Sequence, residues 1–193
     1  MSGTLLSNIY GALFSPIETF KSIAENDKPQ VFEAFVILVL VSVTASINFS
    51  STQSIWFLVF SILTYVVGAV ISWVFIAAII DAISMIFTKT SKFDTLLTLT
   101  SFSIIPWLLI GPVSLFKLPG LEGIGILGVL ISIILGIIIW FWTAILFLMA
   151  VSYTYKLSAG RVIILALMPF VASIIAISWL SGFITNFVYL ISV

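Results

Sequence analysis

Residues Phe93–Leu115 read FDTLLTLTSFSIIPWLLIGPVSL, and after Asp94 they carry no charge before Lys117. The length is what one crossing of a bilayer needs, about 20 residues. In a soluble helix Pro106 and Pro112 would each remove a hydrogen bond and clash one turn back. In lipid, the carbonyls freed near Phe102 are met by neighbouring helices, hydroxyls or ordered water. The stretch reads as a kinked transmembrane helix, with Ser103, Pro106 and Pro112 at its kinked part, and such a helix belongs inside a bundle.

Composition agrees. Of 193 residues, 62% are hydrophobic and 7% charged, with a mean hydropathy of +1.37, whereas soluble domains carry about a quarter charged residues. The fold class is all-α, a polytopic integral membrane protein. Seven Lys+Arg balance seven Asp+Glu, so there is no basic surface for nucleic acid and no tail of like charge. Cysteine and histidine are absent, which removes disulfides, Cys/His metal sites, thiol nucleophiles and imidazole bases together. No metal and no cofactor are expected. Met1–Lys28 lacks the basic start, apolar run and small-residue cleavage site of a signal peptide, so the first span is expected to target the chain.

Outward from the proline helix, five spans are expected, near 34–47, 55–80, 95–116, 126–150 and 162–182. Between Glu33 and Asp81 there is no charge, and the stretch is too long for one crossing, so it turns where Asn48–Ser54 breaks the apolar pattern. The first span is short unless Val31 and Phe32 join it. Pro119-Gly120 turns the chain after the third span, and Ser181-Gly182 is expected to end the fifth, which carries Pro169. Residues 1–33 form an amphipathic N-terminal region at the membrane surface. There Leu5, Leu6, Ile9, Tyr10, Leu13 and Phe14 recur four residues apart. Ser15-Pro16-Ile17-Glu18 reads as a capping box in which the serine hydroxyl meets free amides, followed by Ile17, Phe20 and Ala24 on one face. This helix is either a docking helix for a partner or an interfacial helix that stabilises the bundle's edge.

With five spans, Lys21, Lys28, Lys89, Lys92, Lys156 and Arg161 fall on one side and Lys117 on the other. The positive-inside rule then places the N-terminus in the cytoplasm and the C-terminus outside. A faint internal repeat sets Trp73 against Trp140, Ala77 against Ala144, Lys89 against Lys156 and Ser91 against Ser158, each 67 residues apart. The small-residue faces match better at 68, and Pro106 and Pro169 at 63.

Enzyme chemistry finds few groups here. Ser-His and Cys-His systems are impossible, a Ser-Lys pair would need a lysine within the membrane, and the glycines at 120–128 lack the strand and lysine of a phosphate loop. A non-enzymatic protein is expected. Asp81 is the one acid set in apolar sequence. At mid-bilayer its charge would cost about 2.5–3.5 kcal/mol, and such residues line ion or proton paths. At the end of a span near Ile80, it would instead lie among headgroups and pair with Lys89 or Lys92. Two sets of small residues spaced by four, Thr64/Gly68/Ser72 and Gly128/Ser132/Gly136, read as helix-packing seams. The hydroxyls of Thr95, Thr98, Thr100, Ser101 and Ser103 are scattered round their helix and are expected to bond backbone or neighbouring helices.

Phe14-Ser15-Pro16-Ile17-Glu18-Thr19-Phe20, Ser101-Phe102-Ser103-Ile104-Ile105-Pro106 and Leu157-Ser158-Ala159-Gly160-Arg161, taken in this order and with this number of spans, resemble the Ypt-interacting protein (Yip) domain family of five-span membrane proteins. The resemblance covers nearly the whole chain. It implies a membrane organiser: eukaryotic members sit in endoplasmic reticulum and Golgi membranes, bind Rab-type GTPases and act in vesicle traffic or membrane shaping. Their long cytosolic N-terminal region is here only about Met1–Glu33, and the Asp-Leu-Tyr-Gly-Pro-like signature is missing, so a Rab-type GTPase is a doubtful partner. The short form is similar to prokaryotic members, which implies the cytoplasmic membrane. The expected partners are the lipid bilayer and other membrane proteins, or a second copy of the chain. The rival reading is a small-solute or ion transporter or channel using Asp81, with the kinked helices and the repeat in its favour.

Overall fold

A computed structural model describes residues 5–26, 28–46, 55–114 and 125–173, and every element among them is helical. α1 (Leu5–Phe14) and α2 (Pro16–Ala24) precede α3 (Val31–Ser46) and the long α4 (Ile55–Thr88). The proline helix follows as α5 (Phe93–Ser103), a 3-10 turn (Ile105–Leu109) and α6 (Ile110–Ser114), and then α7 (Gly125–Tyr155). α8 (Ala159–Ser173) closes the described chain. Pro119-Gly120, Lys117 and Ser181-Gly182 lie outside the described residues.

Three helices are long and apolar enough to cross a membrane: α4, the α5–α6 stretch over Phe93–Val113, and α7. α3 and the described part of α8 are shorter apolar helices. α3 takes in Val31 and Phe32 but still spans only about 24 Å at 1.5 Å per residue, against a hydrocarbon core of about 30 Å. α4 runs about 50 Å by the same measure and continues past Ile80 to Thr88. Asp81 therefore lies inside a helix, not just beyond one.

The proline helix is the centre of the bundle. Its most apolar window is 61% buried, against 17% for those of α4 and α7. One core cluster joins Phe20, Ile37, Leu99, Phe102, Ile105 and Leu146; a second joins Ala77, Ile80, Leu96, Val151, Val162 and Leu165. α5 supplies the middle of both. Its break is sharper than a kink: α5 stops at Ser103, the Ile104 amide bonds back to Ser101 at 3.3 Å, and Pro106 opens a tighter 3-10 turn where its missing N–H is tolerated. The hydroxyls nearby turn inward on their own helix. Thr98 donates to the Asp94 carbonyl (2.9 Å), Thr100 to Leu96 (2.7 Å), Ser101 to Thr98 (2.8 Å) and Ser103 to Thr100 (2.6 Å). A helix with buried hydroxyls thus remains satisfied within itself.

The N-terminal pair departs from expectation in two ways. Ser15 makes no side-chain capping bond: its amide already closes α1 onto the Gly11 carbonyl (2.8 Å), and its ψ of 56° is not the extended value of a capping serine. Its carbonyl instead accepts the Thr19 hydroxyl at 3.0 Å. Ile17 and Phe20, three residues apart on α2, meet different surroundings, since Phe20 is fully buried and Ile17 is 62% exposed. Leu5, Ile9 and Leu13 pack on the core, while Leu6, Tyr10, Phe14 and Ile17 form an outward apolar row.

The two seams behave differently. Gly128 and Ser132 are buried against α6, with the Ser132 hydroxyl donating to the Gly128 carbonyl at 2.9 Å and lying 3.4 Å from that of Val113. A side chain at Gly136 would meet nothing within 4 Å. Thr64, Gly68 and Ser72 are all exposed, and a side chain at Gly68 would likewise meet open space. Among the described residues nothing packs against Gly68, and α4 turns Ala77, Ile80 and the indole of Trp73 toward the bundle. Close approach occurs at Gly111, where an added Cβ would lie 3.2 Å from the Thr44 methyl of α3.

Candidate functional site

The sequence analysis singles out Asp81, and the fold buries it, 4% exposed, where α4, the α4–α5 turn and the end of α7 converge. Ile80 and Ala77 on one side and Leu96 and Val151 on the other supply the apolar surroundings. A carboxylate buried there needs partners for both oxygens, and three donors provide them. The Ser91 hydroxyl donates to Oδ2 at 2.6 Å; the Lys92 backbone N–H (2.9 Å) and the Tyr155 phenol (2.7 Å) donate to Oδ1. The expected pairing with the Lys89 or Lys92 ammonium is replaced by these groups: Lys92 contributes its backbone amide. All three partners donate, so the carboxylate accepts throughout. One turn on, the Ser84 hydroxyl donates to the Asp81 carbonyl at 2.8 Å and Thr88 donates to that of Ser84 at 3.0 Å.

Backbone geometry brings these donors into place. α4 ends on Lys89 (φ 58°) and α7 on Lys156 (φ 53°), left-handed conformations more usual for glycine. Each lysine amide bonds back to the carbonyl four residues earlier, Met85 at 3.0 Å and Ser152 at 2.8 Å. Each turn also reaches a serine two residues later, Ser91 or Ser158. These are the positions that the 67-residue repeat pairs, so both hairpins use one turn design. The partner of Asp81 in that register is Leu148; the second hairpin has no such carboxylate. The two turns lie at one end of the bundle. Tyr155 reaches Asp81, and the Arg161 guanidinium sits over the Phe87 ring, 5.6 Å from its centroid.

Two clefts open among the described residues, the first beside the donors of Asp81. One of about 340 Å³ is lined by Ala24, Pro29, Ser91, Lys92, Asp94 and Thr95, among others. The second, of about 330 Å³, opens between α3 and α4 and is walled by Val41, Tyr65, Trp73, Trp107 and Phe147. On its wall the Trp73 indole donates to the Thr100 hydroxyl oxygen at 3.0 Å. Neither cleft is lined by Asp81. The geometry brings Asp81 together with Tyr155, Ser91 and Lys92, but not with Ser103, Pro106 or the small-residue faces. Tyr155 escapes sequence reasoning because it stands 74 residues away; the one available sign is a tyrosine beside the turn that the repeat pairs with Asp81's own.

A family model, the Yip1 domain, matches residues 10–180. No curated protein and no solved structure matches.

Proposed function

Because the chain belongs to the Yip1 domain family, we propose that it is a non-enzymatic, multi-pass membrane protein that gathers other membrane components around its outer helices. The observation that carries this reading is the uneven burial of the long spans. α5 is enclosed, whereas among the described residues α4 and α7 turn most of their apolar surface outward, including the Thr64/Gly68/Ser72 face, where nothing lies within 4 Å of a side chain at Gly68. Small residues on a lipid-facing helix let a neighbouring backbone come close. In this reading Asp81 is the internal tie that holds the hairpins while the outer faces stay free. The outward row of Leu6, Tyr10, Phe14 and Ile17 rests on the membrane surface. Five spans with the N-terminus in the cytoplasm complete the proposal, since the turns carrying Lys89, Lys92, Lys156 and Arg161 share one end.

Gentle purification of the tagged protein from its native membranes, followed by mass spectrometry, tests the reading. A stoichiometric membrane protein that is lost in Gly68→Leu or on deletion of residues 1–27 supports it; recovery of the chain alone counts against it. Transport through Asp81 would require that carboxylate to exchange its three partners during each cycle. Ion-dependent flux in proteoliposomes, abolished in Asp81→Asn, would establish transport in place of organisation.

A further inference from the structure

We infer that the cleft between α2 and the start of α5 binds the headgroup of an ethanolamine phospholipid. The inference rests on the chain spanning a membrane and is independent of what the outer helices gather. α5 begins a spanning stretch at Phe93, so the residues just before and after it stand where helix meets headgroups. The cleft beside that point, about 340 Å³, carries Lys92 and Asp94 together with the hydroxyls of Ser91 and Thr95, and Ala24 and Pro29 form its apolar wall. A cation and an anion lining one cleft suit a headgroup that bears both a phosphate and an ammonium. Lys92 meets the phosphate and Asp94 the ammonium. A primary ammonium has N–H donors for Asp94 and the hydroxyls, which choline lacks. A purely anionic headgroup would leave Asp94 facing negative charge.

Asp81 does not line the cleft but fixes two of the residues that do. It accepts the Ser91 hydroxyl hydrogen and the Lys92 backbone N–H, so the backbone that carries the Lys92 ammonium is set before a lipid arrives. Lys92 and Asp94 are themselves exposed, which makes them replaceable without disturbing the core.

The test uses the full chain in nanodiscs containing equal parts of ethanolamine, choline and glycerol phospholipids of identical acyl composition, with retained lipid read by native mass spectrometry. One ethanolamine lipid is expected to stay bound in preference to the others. Lys92→Ala and Asp94→Ala are each expected to reduce its retention about tenfold while leaving the thermal midpoint unchanged. Preferential retention of the glycerol lipid, with Asp94→Ala improving it, would overturn the zwitterionic site in favour of an anionic one. Equal retention in wild type and both variants would overturn the site altogether. Displacement of the lipid by soluble phosphoethanolamine at equal concentration would show a small-molecule site instead.

Discussion

Asp81 receives its donors from two distances along the chain, Ser91 and Lys92 from 10 and 11 residues away and Tyr155 from 74. Hydrogen bonds to charged groups contribute about 1.5–3 kcal/mol each, so Tyr155→Phe and Ser91→Ala should each lower unfolding stability in detergent by roughly 2 kcal/mol. Asp81→Asn should cost about 3 kcal/mol, because one amide end turns a donor toward donors. A double-mutant cycle on Asp81→Asn and Tyr155→Phe should return a coupling of about 0.5–3 kcal/mol; additive effects would show that the two do not act together. The turn residues give a contrary expectation. Lys89→Gly relieves a left-handed side-chained residue (φ 58°) and should stabilise the protein by about 0.5–1 kcal/mol, measured in the same unfolding assay. Asp81 was legible in the sequence as the one acid among apolar residues. Its partners were not, since a tyrosine and a serine are ordinary anywhere and nothing local announces a left-handed lysine.

At the level of helices, length and apolarity were readable wherever a run was unbroken, as in α4 and α7. What covers each face was not. Spacing by four places Gly68 with Thr64 and Ser72 on one side of α4, but it is silent on whether another helix lies there. Gly111, which belongs to no such series, is the glycine pressed against Thr44. Gly111→Leu should therefore drive α6 from α3 and cost about 1–3 kcal/mol, while Gly68→Leu should stay within about 0.5 kcal/mol. Equal losses at the two positions would contradict this packing. Ser15 shows the same limit for caps: its residue type and the glutamate three positions on satisfy the motif, yet the residue joins two helices, its N–H hydrogen-bonded to the Gly11 carbonyl and its ψ of 56° far from that of a capping serine, and its hydroxyl makes no capping bond.

For the molecule as a whole, both hairpin turns stand at one end of the bundle, joined by Tyr155 to Asp81 and by Arg161 over Phe87. The chain contains no cysteine, so single-cysteine labelling has no background. Thr90→Cys and Ser158→Cys should both react with an impermeant maleimide only when it is given access to the cytoplasmic face; labelling from opposite faces would break the arrangement. Synthesis runs in sequence order, and that order acts on the Asp81 tie. When α4 leaves the ribosome, Ser91 and Lys92 follow within about a dozen residues, whereas Tyr155 is more than sixty residues behind them. The carboxylate is therefore met first by its own hairpin, 10 and 11 residues on. α5 likewise waits for α7 with its hydroxyls bonded to its own backbone. The phenol arrives last, as a latch that closes only once the end of α7 packs against the first hairpin.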